Sequence, residues 1–362
     1  MPRSPRRARG SARRRVRTRG SGDALARADA ARRGSPRYSP RMATFDPPRE
    51  VAPGVLLVDT GYLRPRLAAA YVIRGKDSAA IVETGNGAAV PRLLAALEGA
   101  GLSRADVSHV VVTHVHLDHA GGAGALLREL PRARLVVHPR GARHLVDPSK
   151  LAAGTIAVYG EAAFRALYGE LVPVPAERVV EAPDGFTFDL GGRRMSVLDA
   201  PGHAKHHLVL LDEASRGFFT GDSFGLSYRE TDGAAGPFVF PTTTPVHFDP
   251  PALHATIERM LAERPARMYL THFGAIEGDF AAHAAALHRR LDEHVRRARA
   301  VPPGPGRHAA IRSALEAQLL EDLARHGALF TPADAVAVFA GDLELNAQGL
   351  EVFLDGEAER PA

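Results

Sequence analysis

The stretch Val110-Val111-Val112-Thr113-His114-Val115-His116-Leu117-Asp118-His119-Ala120-Gly121-Gly122 decides how this chain is read. Its β-branched apolar start reads as a buried strand that stops near Thr113. Four side chains able to ligate a metal then fall within six residues. Where the backbone stays extended, His114 and His116 are two apart and point the same way, so they can share one cation. A turn must follow, and it can aim Asp118 and His119 at a second cation nearby. The glycine pair lets the backbone crowd the site and enter a helix.

The same local design recurs three times. Val197-Leu198-Asp199-Ala200-Pro201-Gly202-His203 is a strand, a tight turn and a His. Gly217-Phe218-Phe219-Thr220-Gly221-Asp222 is a strand ending in Asp, and Met268-Tyr269-Leu270-Thr271-His272 is a strand ending in His. Strands place their ends at the rim of a sheet, so four such termini can converge on one mouth. Zinc favours neutral imidazole and carboxylate, and a catalytic site keeps a position open for water. The apportionment is then His114, His116 and His203 on one ion, Asp118, His119 and His272 on the other, and Asp222 bridging.

Composition narrows the chemistry from the other side. The chain has 362 residues and no Cys, which rules out disulfides, thiolate zinc sites, iron–sulfur clusters and a Cys nucleophile. Any metal must be held by His and carboxylate, and there are 17 His. The formal charge of +5 conceals a division. Residues 1–41 hold 14 Arg and 2 Asp and carry +12, whereas the remainder carries −7. The acidic body argues against reading the whole chain as a nucleic-acid binder from its basic balance. Residues 1–41 have almost no large apolar side chains and are expected to be a disordered tail or a mis-assigned start, with Met42 as the alternative first residue. That composition also loosely matches a transit peptide or a nucleic-acid tail. No apolar run follows Arg13-Arg14-Arg15 and none is long enough to span a membrane, so a cytoplasmic protein is expected.

From Val51 onward, short apolar runs alternate with Ala/Leu-rich segments. Strands are expected at 55–59, 69–73, 79–83, 107–113, 134–138, 179–181, 187–190, 195–199, 208–211, 217–220 and 267–271. Helices are expected at 90–97, 123–130, 160–167, up to Glu263 and over 280–299. Val301-Pro302-Pro303-Gly304-Pro305-Gly306 reads as a linker. Amphipathic helices follow at 311–326 and 332–339, with apolar faces that could pack on the body or on a second copy in a homodimer. The layout suggests two strand-rich halves with helices outside, an α+β, four-layered sandwich. The expected domains are a catalytic body over 42–300, the linker 301–306 and a helical extension over 307–362.

The seven ligand candidates in this order resemble the metallo-β-lactamase superfamily, whose αββα sandwich binds two metals between two sheets through His-x-His-x-Asp-His, a later Gly-His, a bridging Asp and a final His. The resemblance covers roughly residues 51–299. Gly202-His203-Ala204-Lys205-His206-His207 is similar to the family's Gly-His-x-x-x-His turn, with His207 as the second His. Asp59-Thr60-Gly61-Tyr62, Asp147-Pro148-Ser149-Lys150, Gly221-Asp222-Ser223-Phe224-Gly225 and Leu345-Asn346-Ala347-Gln348-Gly349-Leu350 resemble a bacterial branch of glyoxalase-II-like hydrolases. One departure stands out. Glu83-Thr84-Gly85 occupies the place of the family's Asp-Thr-Gly, whose acid supports the metal loop, and Glu is one methylene longer.

The resemblance implies a dinuclear zinc hydrolase, with iron or manganese as other metals that such ligands suit. Its expected nucleophile is a hydroxide held between the metals, attacking a thioester, lactone or ester carbonyl of a small molecule. Asp118 is expected to orient the nucleophile and relay its proton. Two rivals keep the ligands: a mononuclear iron dioxygenase acting on persulfides, against which the complete second-metal set argues, and a nucleic-acid phosphodiesterase, against which the acidic body argues. His207 is expected to hydrogen-bond beneath the site. Tyr228 is read either as a phenol offered to substrate or as a loop Tyr packing its ring. Pro241-Thr242-Thr243-Thr244-Pro245 is read either as a pocket wall or as a stiff connection. His138 is read as a supporting or plain strand-end His rather than a ligand, His206 as structural or substrate-facing, His144, His247 and His254 as ordinary, and His283, His288 and His294 as a solvated helix face.

Overall fold

Residues 45–359 other than Ala234 are described by a computed structural model, and the expectations for residues 1–41 lie outside the described residues. The valine run shows how the chain builds its layers. Val110 and Val112 turn to one side of their strand and pack against helices, whereas Val111 turns to the other and joins the core between the sheets. Both faces of the strand are therefore covered, which is why the run is continuously apolar rather than alternating.

Seven strands form the first sheet in chain order: β1 (Arg49–Ala52), β2 (Val55–Asp59), β3 (Ala69–Arg74), β4 (Ala79–Val82), β5 (Val107–Val111), β6 (Arg134–Val137) and β7 (Val179–Glu181). The first four pair antiparallel, and β4 to β7 pair parallel. Parallel neighbours need crossovers, and helices supply them. These are α1 (Val90–Gly99), α2 (Leu117–Ala120) with α3 (Ala123–Glu129), and α4 (Pro139–Val146), α5 (Ser149–Tyr159) and α6 (Glu161–Tyr168). Leu93, Leu97, Leu126, Leu127 and Leu145 lay the helical layer against Val72, Ile81, Val110 and Leu135.

The second sheet has six strands in the order β13-β12-β11-β10-β9-β8: β8 (Thr187–Asp189), β9 (Arg194–Asp199), β10 (Leu208–Asp212), β11 (Gly217–Gly221), β12 (Arg267–Leu270) and β13 (Gly274–Ile276). Helices α7 (Pro250–Ala262) and α8 (Phe280–Arg299) follow β11 and β13. One apolar core joins the sheets, with Leu57, Tyr71, Ile73 and Val111 meeting Val197, Leu210, Phe219 and Leu270. The same core takes in Leu253, Ile257, Leu287 and Leu291 from α7 and α8. At one end the sheets are stitched directly: Leu208 N donates to Thr113 O at 2.8 Å, Ala69 N to Thr271 O at 2.8 Å, and the Tyr71 hydroxyl to Leu270 O at 2.6 Å. This is the expected four-layered sandwich.

After residues 301–306, which form no helix or strand, come α9 (Arg307–His326), α10 (Pro332–Val338) and α11 (Ala340–Ala358). Helix α11 falls within the expected helical extension but beyond its two expected amphipathic helices, and Gly341, Gly349 and Gly356 oppose it. It forms because Leu343, Ala347, Leu350 and Leu354 make one stripe that joins the core. His294 departs from its reading as a solvated residue. It is wholly buried where α9 crosses α8, with Nδ1 against Gln318 Oε1 at 2.9 Å. Among the described residues no helix is long and apolar enough to cross a membrane.

Candidate metal centre

Each ligand candidate sits just past a strand end at the stitched edge. Strand β5 stops at Val111, the chain bends at Thr113 and His114, and His116 is extended (φ −62°, ψ 148°) just before α2 begins. The turn carries Asp118 and His119 round to the opposite side of the cluster from His116. His203 follows β9 through a turn, Asp222 follows β11 directly, and His272 follows β12.

The structure brings all seven side chains together in three overlapping groups: His114 with His116 and His203, Asp118 with His119 and His272, and His114 with His119 and Asp222. Within each group the candidate donor atoms lie within 4.8 Å of one another. His116 Nδ1 is 2.8 Å from His114 Nε2 and 3.2 Å from His203 Nε2. His272 Nε2 is 3.4 Å from Asp118 Oδ2, and His119 Nε2 is 3.7 Å from the same oxygen.

The opposite edges of the rings are tied down, which fixes which nitrogen faces inward. His114 Nδ1 meets Thr113 Oγ1 at 3.1 Å, His203 Nδ1 meets Thr242 Oγ1 at 3.1 Å, and His272 Nδ1 meets Leu67 O at 2.9 Å. His119 Nδ1 meets Glu83 Oε1 at 3.2 Å. Glu83 adopts a positive φ of 66°, and its carboxylate also takes the Thr113 and Thr271 hydroxyls. It is buried and stands beneath the metal loop, as the acid at that place does in the resemblance. His207 is wholly buried, accepting from Asp222 N at 3.2 Å and meeting Ser223 Oγ at 3.2 Å. Gly221 lies over it at φ 49°, where a Cβ would stand 2.4 Å from Thr113 Oγ1 and 2.6 Å from His207 Nε2.

The electrostatics suit a cation. Burial and neighbouring imidazoles hold His114 and His116 well below their usual pKa, and burial also lowers His203, so these rings are neutral and free to donate a lone pair. Burial also opposes charge on His119 and His272. The carboxylates of Asp118 and Asp222 outweigh it and raise both rings. Those carboxylates therefore draw positive charge to this spot. His119 Nε2 and Asp222 Oδ1, 3.3 Å apart and buried, make no hydrogen bond, and such orphaned buried atoms are rare unless something else binds them. The residues present thus fit one or two divalent cations.

Several contacts near the cluster bring in residues such as Asp342, Phe164 and Tyr168 that the sequence does not single out. Tyr228 is wholly buried and its hydroxyl donates to both oxygens of Asp342 on α11, at 3.1 Å each. Asp342 is pushed up to about 6 by burial. Beside the Asp118 end, Leu117 packs with Tyr62, Phe164 and Tyr168, and the Tyr62 and Tyr168 hydroxyls meet at 2.7 Å. Helix α5 buries none of its side chains, and Val158 and Tyr159 are 46% and 38% exposed there. Beside the His116 end, the His206 ring lies 5.8 Å from His116, 6.4 Å from His144 and 5.7 Å from His247. His138 instead caps α4 through Arg140 N at 3.0 Å and meets Asp199 at 2.9 Å. Apart from the local His138 cap, most of these meetings join segments far apart in the chain and are not visible in the sequence.

Comparison with known proteins agrees with this architecture. The sequence model of the metallo-beta-lactamase superfamily matches residues 63–272. A metallo-beta-lactamase fold-containing protein of Sulfurisphaera tokodaii is 29% identical over 218 residues, 59% of this chain and 75% of that one. A hydroxyacylglutathione hydrolase of Cupriavidus taiwanensis is 28% identical over 249 residues, 68% of this chain and 72% of that one. A metallo-beta-lactamase family protein from Thermus thermophilus superposes with a TM-score of 0.60 at 20% identity, covering 85% of this chain and 95% of that one. The chain belongs to the metallo-beta-lactamase superfamily.

Proposed function

We propose that the protein is a hydrolase holding two divalent cations, zinc first among them, and opening a thioester, lactone or ester of a small molecule. The observation that carries this reading is the convergence of seven imidazole and carboxylate groups with Asp222 between two clusters. His114, His116 and His203 would hold one cation, Asp118, His119 and His272 the other, and Asp222 both. When bound, such cations polarise a carbonyl oxygen and make water nucleophilic near neutral pH.

The chain's own groups supply the rest. Asp118 keeps 23% of its side chain exposed and is the ligand carboxylate open to an incoming molecule. It orients the attacking water and accepts its proton as the new C–O bond forms. It returns that proton to the sulfur or oxygen that leaves as the scissile bond breaks. Leu117, Tyr62 and Tyr168 are buried and brace this end from behind. Glu83 and His207 hold the ligands from below. The relationship to a hydroxyacylglutathione hydrolase supports thioester hydrolysis. We take residues 42–300 as the catalytic body, joined through 301–306 to the extension 307–362, in a cytoplasmic protein.

The test is elemental analysis of the purified chain with a panel of thioesters, lactones and phosphodiesters, before and after removal of metal by chelation. The expected result is two metals per chain and carbonyl hydrolysis that is lost on chelation and restored by zinc. Full turnover by rigorously metal-free protein would overturn the reading. One iron per chain with oxygen consumption would replace it with the dioxygenase.

A further inference from the structure

We infer that the C-terminal helical extension is part of the metal centre, and that Asn346 on α11 is a positioning residue for His203 and Asp222. The inference rests on the metal-centre reading above. The connection runs through the loop of residues 241–244, which leaves the core between β11 and α7. Asn346 grips that loop with both ends of its amide: Oδ1 accepts from Thr243 N at 2.7 Å, and Nδ2 donates to Pro241 O at 2.9 Å. Thr243 completes the clasp by donating its hydroxyl to Asn346 O at 3.0 Å. One turn on, Gly349 lies so close that a Cβ would stand 1.5 Å from Thr243 O. Asn346, Thr242 and Thr243 are all buried, so water cannot replace these bonds.

Thr242, held between the two residues that Asn346 grips, faces the cluster. Its Oγ1 lies 3.1 Å from His203 Nδ1 and donates to Asp222 O at 3.1 Å. The orientation of His203 and the backbone of Asp222 are thereby referred to a helix more than a hundred residues further along the chain. A second foothold on the same helix, Asp342 on the Tyr228 hydroxyl, ties the loop after Asp222 to it as well. The side chain of Asn346 is spent on the 241–244 loop and on nothing else among its hydrogen bonds, which separates its role from that of the apolar stripe beside it.

The test uses the full chain loaded with Co²⁺, whose visible absorption bands report ligand geometry, together with chelator competition and thermal unfolding. Asn346→Ala and Thr242→Val are expected to shift the bands in the same sense and to weaken cobalt binding about 10-fold. Thr242→Ser keeps the hydroxyl and is expected to restore the parent spectrum. Leu354→Ala, in the stripe of the same helix, is expected to lower the unfolding temperature with bands and affinity unchanged. Should Asn346→Ala not fold, Asn346→Asp serves in its place, keeping the acceptor toward Thr243 and losing the donor toward Pro241. If the asparagine variant loses stability but keeps the parent bands and affinity, Asn346 only packs the helix and the inference falls. If the unaltered chain takes up no cobalt, the metal-centre reading itself falls. Uptake by the parent with no change in the variant removes this inference alone.

Discussion

Asp222 turns its two carboxylate oxygens toward different imidazoles, Oδ2 to His203 Nε2 at 3.4 Å and Oδ1 to His119 Nε2 at 3.3 Å. Replacing it with Asn keeps the shape and removes one anionic oxygen. We expect Asp222→Asn to lose at least one metal per chain by elemental analysis and to lower hydrolysis by a factor on the order of 10² or more. Unchanged metal content would remove Asp222 from between the two clusters.

Glu83 accepts from two hydroxyls and faces His119 Nδ1 with the same oxygen. Glu83→Gln preserves length and volume but withdraws the charge that orients the ring. Metal affinity should fall by about 10–100-fold, as it does when such outer partners are altered. The reading is checked by chelator titration of the purified variant, and a parent-like affinity would show that the longer acid is only a packing group.

Nearly every strand, and each of the seven clustered side chains, is legible in the sequence. A β-branched run, a turn and a ligand are consecutive in the chain, so one segment contains the whole local argument. What escapes is whatever needs two distant segments. Helix α11 looks broken by glycines until its stripe meets the core, and Asn346 is an ordinary polar residue until it meets Pro241 and Thr243. His294 sits at spacings that suggest no role, and only the crossing of α9 over α8 buries it. The extension reads only as amphipathic helices because its contact with the site is made through another loop.

That buried histidine sets a pH dependence. Burial is the main cause that pushes His294 down to about 4, against an unfolded value of about 6.5. The unfolded chain therefore binds the proton more readily. Stability is fully present above pH ~6.5 and declines as pH falls toward ~4, by up to about 3 kcal/mol. His294→Gln cannot titrate, so its unfolding temperature should drop less over this interval than that of the parent. Parallel curves would contradict the assignment.

Gly221 has no room for a side chain beneath the cluster and adopts a left-handed φ. Gly221→Ala should therefore destabilise the fold by roughly 1–3 kcal/mol through overpacking against Thr113 and His207. Denaturant unfolding of the variant measures it, and a loss below about 0.5 kcal/mol would mean that the two side chains yield without strain.

The four ligand candidates at 114–119 follow a strand of one sheet, whereas His203, Asp222 and His272 follow strands of the other. Any ion held by both sets straddles the seam of the sandwich. Such an ion works as a rivet as well as a reagent: prising the two halves apart must eject it, and starving the chain of metal must loosen the seam first at that edge.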